Sequence, residues 1–271
     1  MVFVRMLTFV HTLTQIVRML NKPTDYIASL AKGLQVIECF RAETPRLSIA
    51  QVSEATGLDR ATARRCLLTL HRLGYADYDG KFFQLTPRVL RLGMGALAAL
   101  PLPQLVQPWL DQLSEQIHQS SSVSILDETE IVYLARAAQR KVMSIGLMPG
   151  SRLPAHCTSM GRVLLAALPE PEMRALLERS DLTPRTPLAL TDPVEIAARI
   201  AQTRDQGYAI IDQEVEMSLR SIAVPLYNAH GRVVAALNTG LPAMQAEPEE
   251  LARDYLPALL KVQAGLRRVL P

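Results

Sequence analysis

Apolar positions along the chain follow two different periods. From Tyr26 they recur every three or four residues: Leu30, Leu34, Ile37 and Phe40 predict a helix that ends near Glu43-Thr44-Pro45, because proline cannot continue it. Ser48 is a good N-cap for a second helix through IAQVSEAT, and Gly57 stands at its stop. Asp59 can cap a third helix that runs to Gly74, with Ala63, Cys66, Leu67, Leu70 and Leu73 as its apolar face. After Gly74 the period changes. YADYDGKFFQL alternates on either side of Asp79-Gly80, which predicts a two-residue hairpin turn with positive φ at both positions. From Pro87, RVLRLGMGALAAL reads as a further helix or linker, and Pro101, Pro103 and Pro108 punctuate the chain. These prolines put a domain boundary near residue 100.

The remainder mixes both periods. PWLDQLSEQIHQ reads as a helix; SSVSILD, IVYLARAA and VMSIGLM read as strands. Thr158 or Ser159 caps a helix through MGRVLLAAL, and PEMRALLER and DPVEIAARIAQTRDQG give two more. YAIIDQEV, RSIAVPLYN and VVAALNTG are strands, the last two joined by a turn at Ala229-His230-Gly231, and PEELARDYLPALLKVQAGLRRVL closes the chain as one helix. Strands in hairpin-like succession with helices between them predict an α+β fold, an antiparallel sheet flanked by helices. There is no internal repeat and no low-complexity segment.

Charge sharpens this division. The net charge of +3 over 271 residues is uneven: residues 26–100 carry 10 Lys+Arg against 6 Asp+Glu, residues 101–271 carry 16 against 19. A basic segment followed by a mildly acidic one suggests that the first meets phosphate. Three widely spaced cysteines, Cys39, Cys66 and Cys157, argue against a disulfide framework and a clustered zinc site, and for free thiols in a reducing cytoplasm. The first twenty residues are apolar but interrupted by Arg5, His11, Gln15 and Arg18, so they do not form a membrane span, and no small-residue cleavage site follows. Phe3, Leu7, Val10, Leu13, Val17 and Leu20 have helical spacing. A helix packing on a partner, an upstream start codon and a disordered extension remain equal readings of residues 1–25.

The strongest motif is SIAQVSEATGLDRATARRCLLTLHRLGYADYDGKFFQL. Two short helices around a tight glycine turn, followed by a hairpin, make a winged helix-turn-helix. The third helix must offer its front end to a major groove while its other face packs on its own domain. Arg60, Thr62, Arg64 and Arg65 fall outside the apolar set at that front end. Arginine can donate two parallel bonds to guanine, and threonine can reach a phosphate or a thymine methyl. Ser48, the cap of the preceding helix, and Lys81, beside the wing turn, complete the candidate DNA-binding set.

Residues 26–271 resemble the isocitrate-lyase-regulator (IclR-type) family of bacterial transcription factors. The match rests on SLAKGLQVIECF, LSIAQVSEATGLDRATARRCLLTLHRLGYA, SIGLMPGSRLPAHCTSMGRVLLAAL and GYAIIDQEVEMSLRSIAVPL. The run RLPAHCTSMGRVLLA is most similar to the branch that regulates the β-ketoadipate pathway and 4-hydroxybenzoate catabolism. The resemblance implies a winged-helix domain at 26–86, a linker helix at 87–100 and a GAF-like domain at 101–271 that binds effector and oligomerises. It also implies homodimers or homotetramers on palindromic promoter DNA, an organic-acid effector (protocatechuate, 4-hydroxybenzoate or β-ketoadipate) and, by the habit of that branch, activation. A repressor sensing glyoxylate, pyruvate or a sugar acid is the alternative.

An acid effector needs an apolar slot, hydrogen-bond donors and usually a cation. The stretch from Gly150 to Met160 supplies hydroxyls and backbone N–H groups at a helix start, where anions are favoured. By resemblance, Ser159 and Met160 match the loop that touches the ligand, Asp212 lies at or next to a matching position, and Ser221 and Asn238 match polar positions on the sheet. Arg152, His156 and Arg220 are nearby candidates for the carboxylate. Equally, Arg220 can pair with Glu214 or Glu216, and His156 can be a capping or core histidine. No cofactor, metal or membrane partner is expected. The chain lacks a phosphate-binding glycine loop, a Gly-x-Ser-x-Gly elbow and metal-ligand spacing. An enzyme using Cys157 beside His156 on a GAF-like scaffold is the remote alternative, since neighbours in sequence need not face each other.

Overall fold

The computed structural model describes residues 26–41, 44–99, 101–139 and 146–270; the readings of residues 1–25 lie outside them. The chain divides into two compact units, Met1–Ala99 and Leu100–Pro271.

The first unit contains α1 (Ala28–Glu38), β1 (Arg46–Leu47), α2 (Ile49–Thr56), α3 (Arg60–Arg72), β2 (Ala76–Tyr78), β3 (Phe83–Leu85), a 3-10 turn (Pro87–Val89) and α4 (Leu90–Ala99). Ser48 starts α2 through a reciprocal capping box with Gln51, and Gly57 ends it at φ +68°. The Asp59 carboxylate caps α3 by accepting from the Thr62 N–H at 2.9 Å. Val36, Val52, Ala63, Leu67 and Phe83 form a fully buried core. The helix α1 stops well before Pro45, and Leu30 and Leu34, expected to face inward, are 60% and 46% exposed because α1 packs through Val36. Leu73 is also exposed; it lies beyond the last turn of α3, where Gly74 at φ +77° turns the chain away. The wing turn differs as well. Tyr78 pairs with Phe83, leaving a four-residue loop from Asp79 to Phe82 in which Gly80 alone has positive φ. The Asp79 carboxylate shapes it by accepting from the N–H groups of Lys81 and Phe82 at 2.9 and 2.7 Å. Strand β1, too short to show alternation, joins the hairpin in the order β1-β3-β2.

The second unit contains α5 (Pro101–Ile117), β4 (Ser120–Asp127), β5 (Glu130–Ala137), β6 (Arg152–Pro154), α6 (Ser159–Ala166), α7 (Glu170–Arg179), α8 (Pro193–Gln206), β7 (Ala209–Asp212), β8 (Leu219–Tyr227), β9 (Val233–Pro242), α9 (Pro248–Asp254) and α10 (Leu256–Leu266). The three prolines expected to interrupt the chain all lie in α5. Pro101 and Pro103 occupy its first turn, where an N–H has no helical acceptor, and Pro108 sits on its exposed side. The closing helix is two, with the break at Tyr255 and Pro257 in the first turn of α10. Of the strand read in VMSIGLM, residues 142–145 lie outside the described residues and 146–148 have no regular structure; β6 follows instead.

The six strands form one antiparallel sheet in the order β6-β5-β4-β9-β8-β7. One face packs Ile222, Val224 and Leu237 against Val106, Leu110, Leu259 and Leu266 of α5 and α10. The other packs Ile131, Ala223 and Ala236 against Met160 and Leu165 of α6 and Ile196 and Ile200 of α8. No helix among the described residues is long and apolar enough to cross a membrane.

Trp109 of α5 lies so close to Gly265 of α10 that a Cβ there collides with its ring. Gly265→Ala should therefore destabilise the unit by about 1–3 kcal/mol, the usual range for overpacking. Chemical denaturation followed by the fluorescence of this single tryptophan measures the loss; an unchanged midpoint means that the ring can move aside.

Candidate DNA-reading helix and effector pocket

The front of α3 presents Arg60, Arg64 and Arg65, all exposed. Arg60 and Arg64 stand one turn apart on the same side, and Arg65 donates to Thr62 Oγ1 at 3.3 Å. Thr62 itself is buried, which corrects its place in the groove-facing set. Its position beside the cap turns it inward, and its hydroxyl meets Arg65. Ser48 is half-buried, with its hydroxyl donating to Gln51 Oε1 at 2.8 Å, so it works first as a cap. Lys81 is exposed on the wing with its Nζ 5.0 Å from the centre of the Phe82 ring. The sequence pattern passed over Arg46, whose guanidinium carbon lies 5.4 Å from the same ring.

In the second unit a β-bulge builds the candidate pocket. Val123 pairs with Ala135 and Ser124 with Tyr133, so Leu134 is an extra residue on β5. Strict alternation would send Tyr133 and Arg136 to opposite faces. With the bulge, Leu134 and Ala135 both enter the core under α5 and α10, and Tyr133 and Arg136 both line a cavity on the α6 side. The pairings Arg136↔Ser122, Ser122↔Asn238 and Asn238↔Ala223 run as one row across four strands. A neighbouring row joins Ser120, Gly240 and Ser221.

The cavity is narrow, about 30 Å³. Its walls are Arg136, Ser120, Ser221 and Asn238 on the sheet, Thr158, Ser159 and Met160 at the start of α6, and apolar Leu147, Leu153, Val215 and Leu219. Thr158 Oγ1 caps α6 by accepting from the Gly161 N–H at 3.1 Å, and a Cβ on Gly161 would collide with Ala155 and Thr158. That close approach places the helix start against the cavity. Ser221 donates to Ser159 across it at 2.9 Å.

Four of the expected effector residues, Ser159, Met160, Ser221 and Asn238, thus surround one cavity. The other four do not line it. Arg152 is on the exposed edge, paired with Asp127 and Glu130 at 2.8 and 2.7 Å. Arg220 is bound to Asp212 at 2.6 Å and to Glu247 at 2.9 Å, and it also donates to the carbonyls of Ala243 and Ala246. These partners differ from Glu214 and Glu216. Asp212 is occupied by the same pair. His156 is a buried core residue whose burial, with Arg162 nearby, holds its ring below the usual imidazole range.

The cation at the cavity is Arg136. It donates to Ser122 Oγ at 3.0 Å, no acidic side chain among the described residues pairs with it, and burial pulls its guanidinium below the ordinary value. The alternation pattern gave no sign of it, since only the bulge turns it inward. Tyr133 beside it is pushed up to about 12 by burial and stays a neutral phenol.

Behind the cavity Arg162 of α6 and Glu214, next to the wall residue Val215, form a buried ion pair at 2.7 Å. Burial raises the Glu214 carboxyl and lowers the Arg162 guanidinium, so desolvation offsets much of their attraction. Hydrogen bonds to the His156 carbonyl and from the Leu190 N–H complete the pair. No group of His, Cys, Asp and Glu suited to a metal ion occurs among the described residues.

Comparison with known proteins places both units in one family. A model of the IclR helix-turn-helix domain matches residues 29–80, and one described as the bacterial transcriptional regulator IclR C-terminal region matches residues 94–265. The chain belongs to the IclR family. It is 45% identical to the Pca regulon regulatory protein of Pseudomonas putida over 89% of this chain and 84% of that one. It is 38% identical to the p-hydroxybenzoate hydroxylase transcriptional activator of Acinetobacter baylyi, over 90% of this chain and 92% of that one. The inducer-binding domain of the Acinetobacter transcription factor PobR, solved as a double mutant with 3-hydroxybenzoic acid, superposes with a TM-score of 0.59 and 33% identity. That match covers 62% of this chain and 98% of the other. This IclR-family chain is a DNA-binding transcription regulator of the aromatic-catabolism kind.

The buried pair makes a sign-sensitive prediction. Glu214→Gln leaves the Arg162 charge buried and should cost about 3–5 kcal/mol of stability, whereas Arg162→Met with Glu214→Leu should recover most of it. Urea denaturation of both variants checks this; equal losses would show that the pair itself stabilises the fold beyond what apolar side chains replace.

Proposed function

We propose that the second unit binds an aromatic hydroxy acid in the cavity at Arg136 and that this ligand sets the DNA affinity of the first unit. The observation that carries the reading is Arg136: a cation without a carboxylate partner among the described residues, set in a largely apolar cavity beside a helix start. A carboxylate there gains charge-assisted hydrogen bonds from the guanidinium. Asn238 supports the ring hydroxyl. Its side-chain amide bonds to no described residue, and its Oδ1 is buried. A hydroxyl both donates and accepts, so it satisfies that amide in either orientation. β-Ketoadipate brings a second carboxylate instead, and the other two candidate cations, Arg152 and Arg220, already hold acids of their own. Protocatechuate and 4-hydroxybenzoate are therefore favoured over β-ketoadipate, and over glyoxylate, pyruvate or a sugar acid. The narrow cavity admits a ring once Met160, an unbranched and adaptable side chain, shifts.

The regulator works as a homodimer or homotetramer on a palindromic operator in the cytoplasm. Ile27 at the cap of α1, Leu30 and Leu34 on α1, and Leu90 and Leu92 on α4 leave apolar side chains exposed in the single chain, which suits contact with a second copy. Recognition helices on one face of B-DNA sit about 34 Å apart. An effector changes DNA affinity only through its different affinity for two arrangements of the dimer. Activation is the expected sign, as in the Acinetobacter activator. We assign no catalysis: burial pushes the Cys157 thiol up to about 11, so it stays protonated and is no nucleophile.

Calorimetric titration with protocatechuate, 4-hydroxybenzoate, benzoate, β-ketoadipate, glyoxylate and pyruvate tests this directly. A hydroxybenzoate should bind tightest, and Arg136→Met should weaken it by about 1.5–3 kcal/mol, the worth of a charged hydrogen bond. Preferred binding of glyoxylate or β-ketoadipate, or an indifferent Arg136→Met, would remove the assignment. On the DNA side, Arg64→Ala or Arg65→Ala should cost about 1–3 kcal/mol of specific affinity wherever the side chain reaches a base. Footprints unaltered in both variants would take α3 out of the groove.

A further inference from the structure

The wing carries a second device. Arg46 on the short edge strand β1 is exposed, and its guanidinium forms an ion pair with Asp79 at the turn of the wing. The same guanidinium lies over the ring of Phe82, with Lys81 over that ring as well. Asp79 therefore has two separable roles. Its carboxylate holds the turn by accepting from the N–H groups of Lys81 and Phe82, and its charge neutralises the arginine beside the turn. The first role needs only an oxygen acceptor. The second needs the negative charge.

We infer that Arg46 is a DNA-backbone contact of the wing and that Asp79 is its internal counter-ion, which a DNA phosphate must displace. The placement supports this: Arg46 and Lys81 flank one aromatic ring at the wing, the element that lies against DNA beside the recognition helix in winged domains. An exposed ion pair is weak enough to exchange partners, and a phosphate accepts from guanidinium in the same forked geometry as a carboxylate. Asp79 thus lowers general DNA affinity, leaving more of the binding to groups that read bases.

The salt dependence of full-length protein binding to a random-sequence duplex tests this by fluorescence anisotropy, with no knowledge of the operator. Asp79→Asn keeps an oxygen for the turn and removes the charge. It should tighten binding by about three- to eightfold near 0.1 M salt and leave the log–log salt slope near the parent's, because the Arg46–phosphate contact is made in both proteins. Arg46→Met should weaken binding and flatten the slope. The double variant decides between mechanisms: if Asp79 acts through Arg46, Asp79→Asn has little effect once Arg46 is gone. Equal tightening in both backgrounds would mean simple repulsion between Asp79 and DNA and overturns the inference, as does an Arg46→Met protein with unchanged slope.

Discussion

A single inserted residue in β5 governs which side chains line the cavity of the second unit. Leu134 has no partner across the ladder, and the step it introduces turns Tyr133 and Arg136 to the same face of the sheet. Without it the cavity has apolar walls and hydroxyls but no cation, because Arg136 would lie among Leu134, Ala135 and the helices on the other side. Desolvating a guanidinium is costly. The sheet tolerates it here because Ser122 accepts one of its hydrogen bonds and Arg136 lines a cavity rather than the closed core.

The arginines of this unit show how context divides one residue type into different tasks. Arg152 and Arg220 have carboxylates on adjacent strands or loops and act as braces at the edges of the sheet. Arg162 is sealed inside with Glu214, where both charges have lost water and each is tolerable only because of the other. That brace joins the helix bearing Ser159 and Met160 to the loop bearing Val215, so two cavity walls share one anchor. Arg136 alone among these four lines the cavity.

The first unit depends on caps rather than on bulk. Its core is small, and its helices are fixed by the Ser48–Gln51 box, by Gly57 in a left-handed conformation and by Asp59 at the head of α3. These fix where α3 begins and therefore which arginines lie at its front. Thr62, polar and close to Arg60 in sequence, is turned into the core by that same start. A polar residue in the first turn of a recognition helix is thus not by itself a groove contact.

Much of this organisation was written in local pattern. Serine, aspartate and glycine at helix ends, the switch from helical to alternating period after Gly74, and the strands around Ala229 to Gly231 specify their elements through short-range hydrogen bonds and dihedral preferences. A sequence can carry such information because both partners lie within a few residues. By resemblance it also pointed to Ser159, Met160, Ser221 and Asn238 at the cavity. It did not point to Arg136, and it offered Arg152, His156 and Arg220 instead. Which way an arginine faces is set by strand register and by a bulge, and whether it is free depends on acids brought near by folding: Glu130 from the neighbouring strand, Glu247 from beyond β9. Those are properties of pairings across the sheet and of segments folded against it, so the tertiary structure decided them.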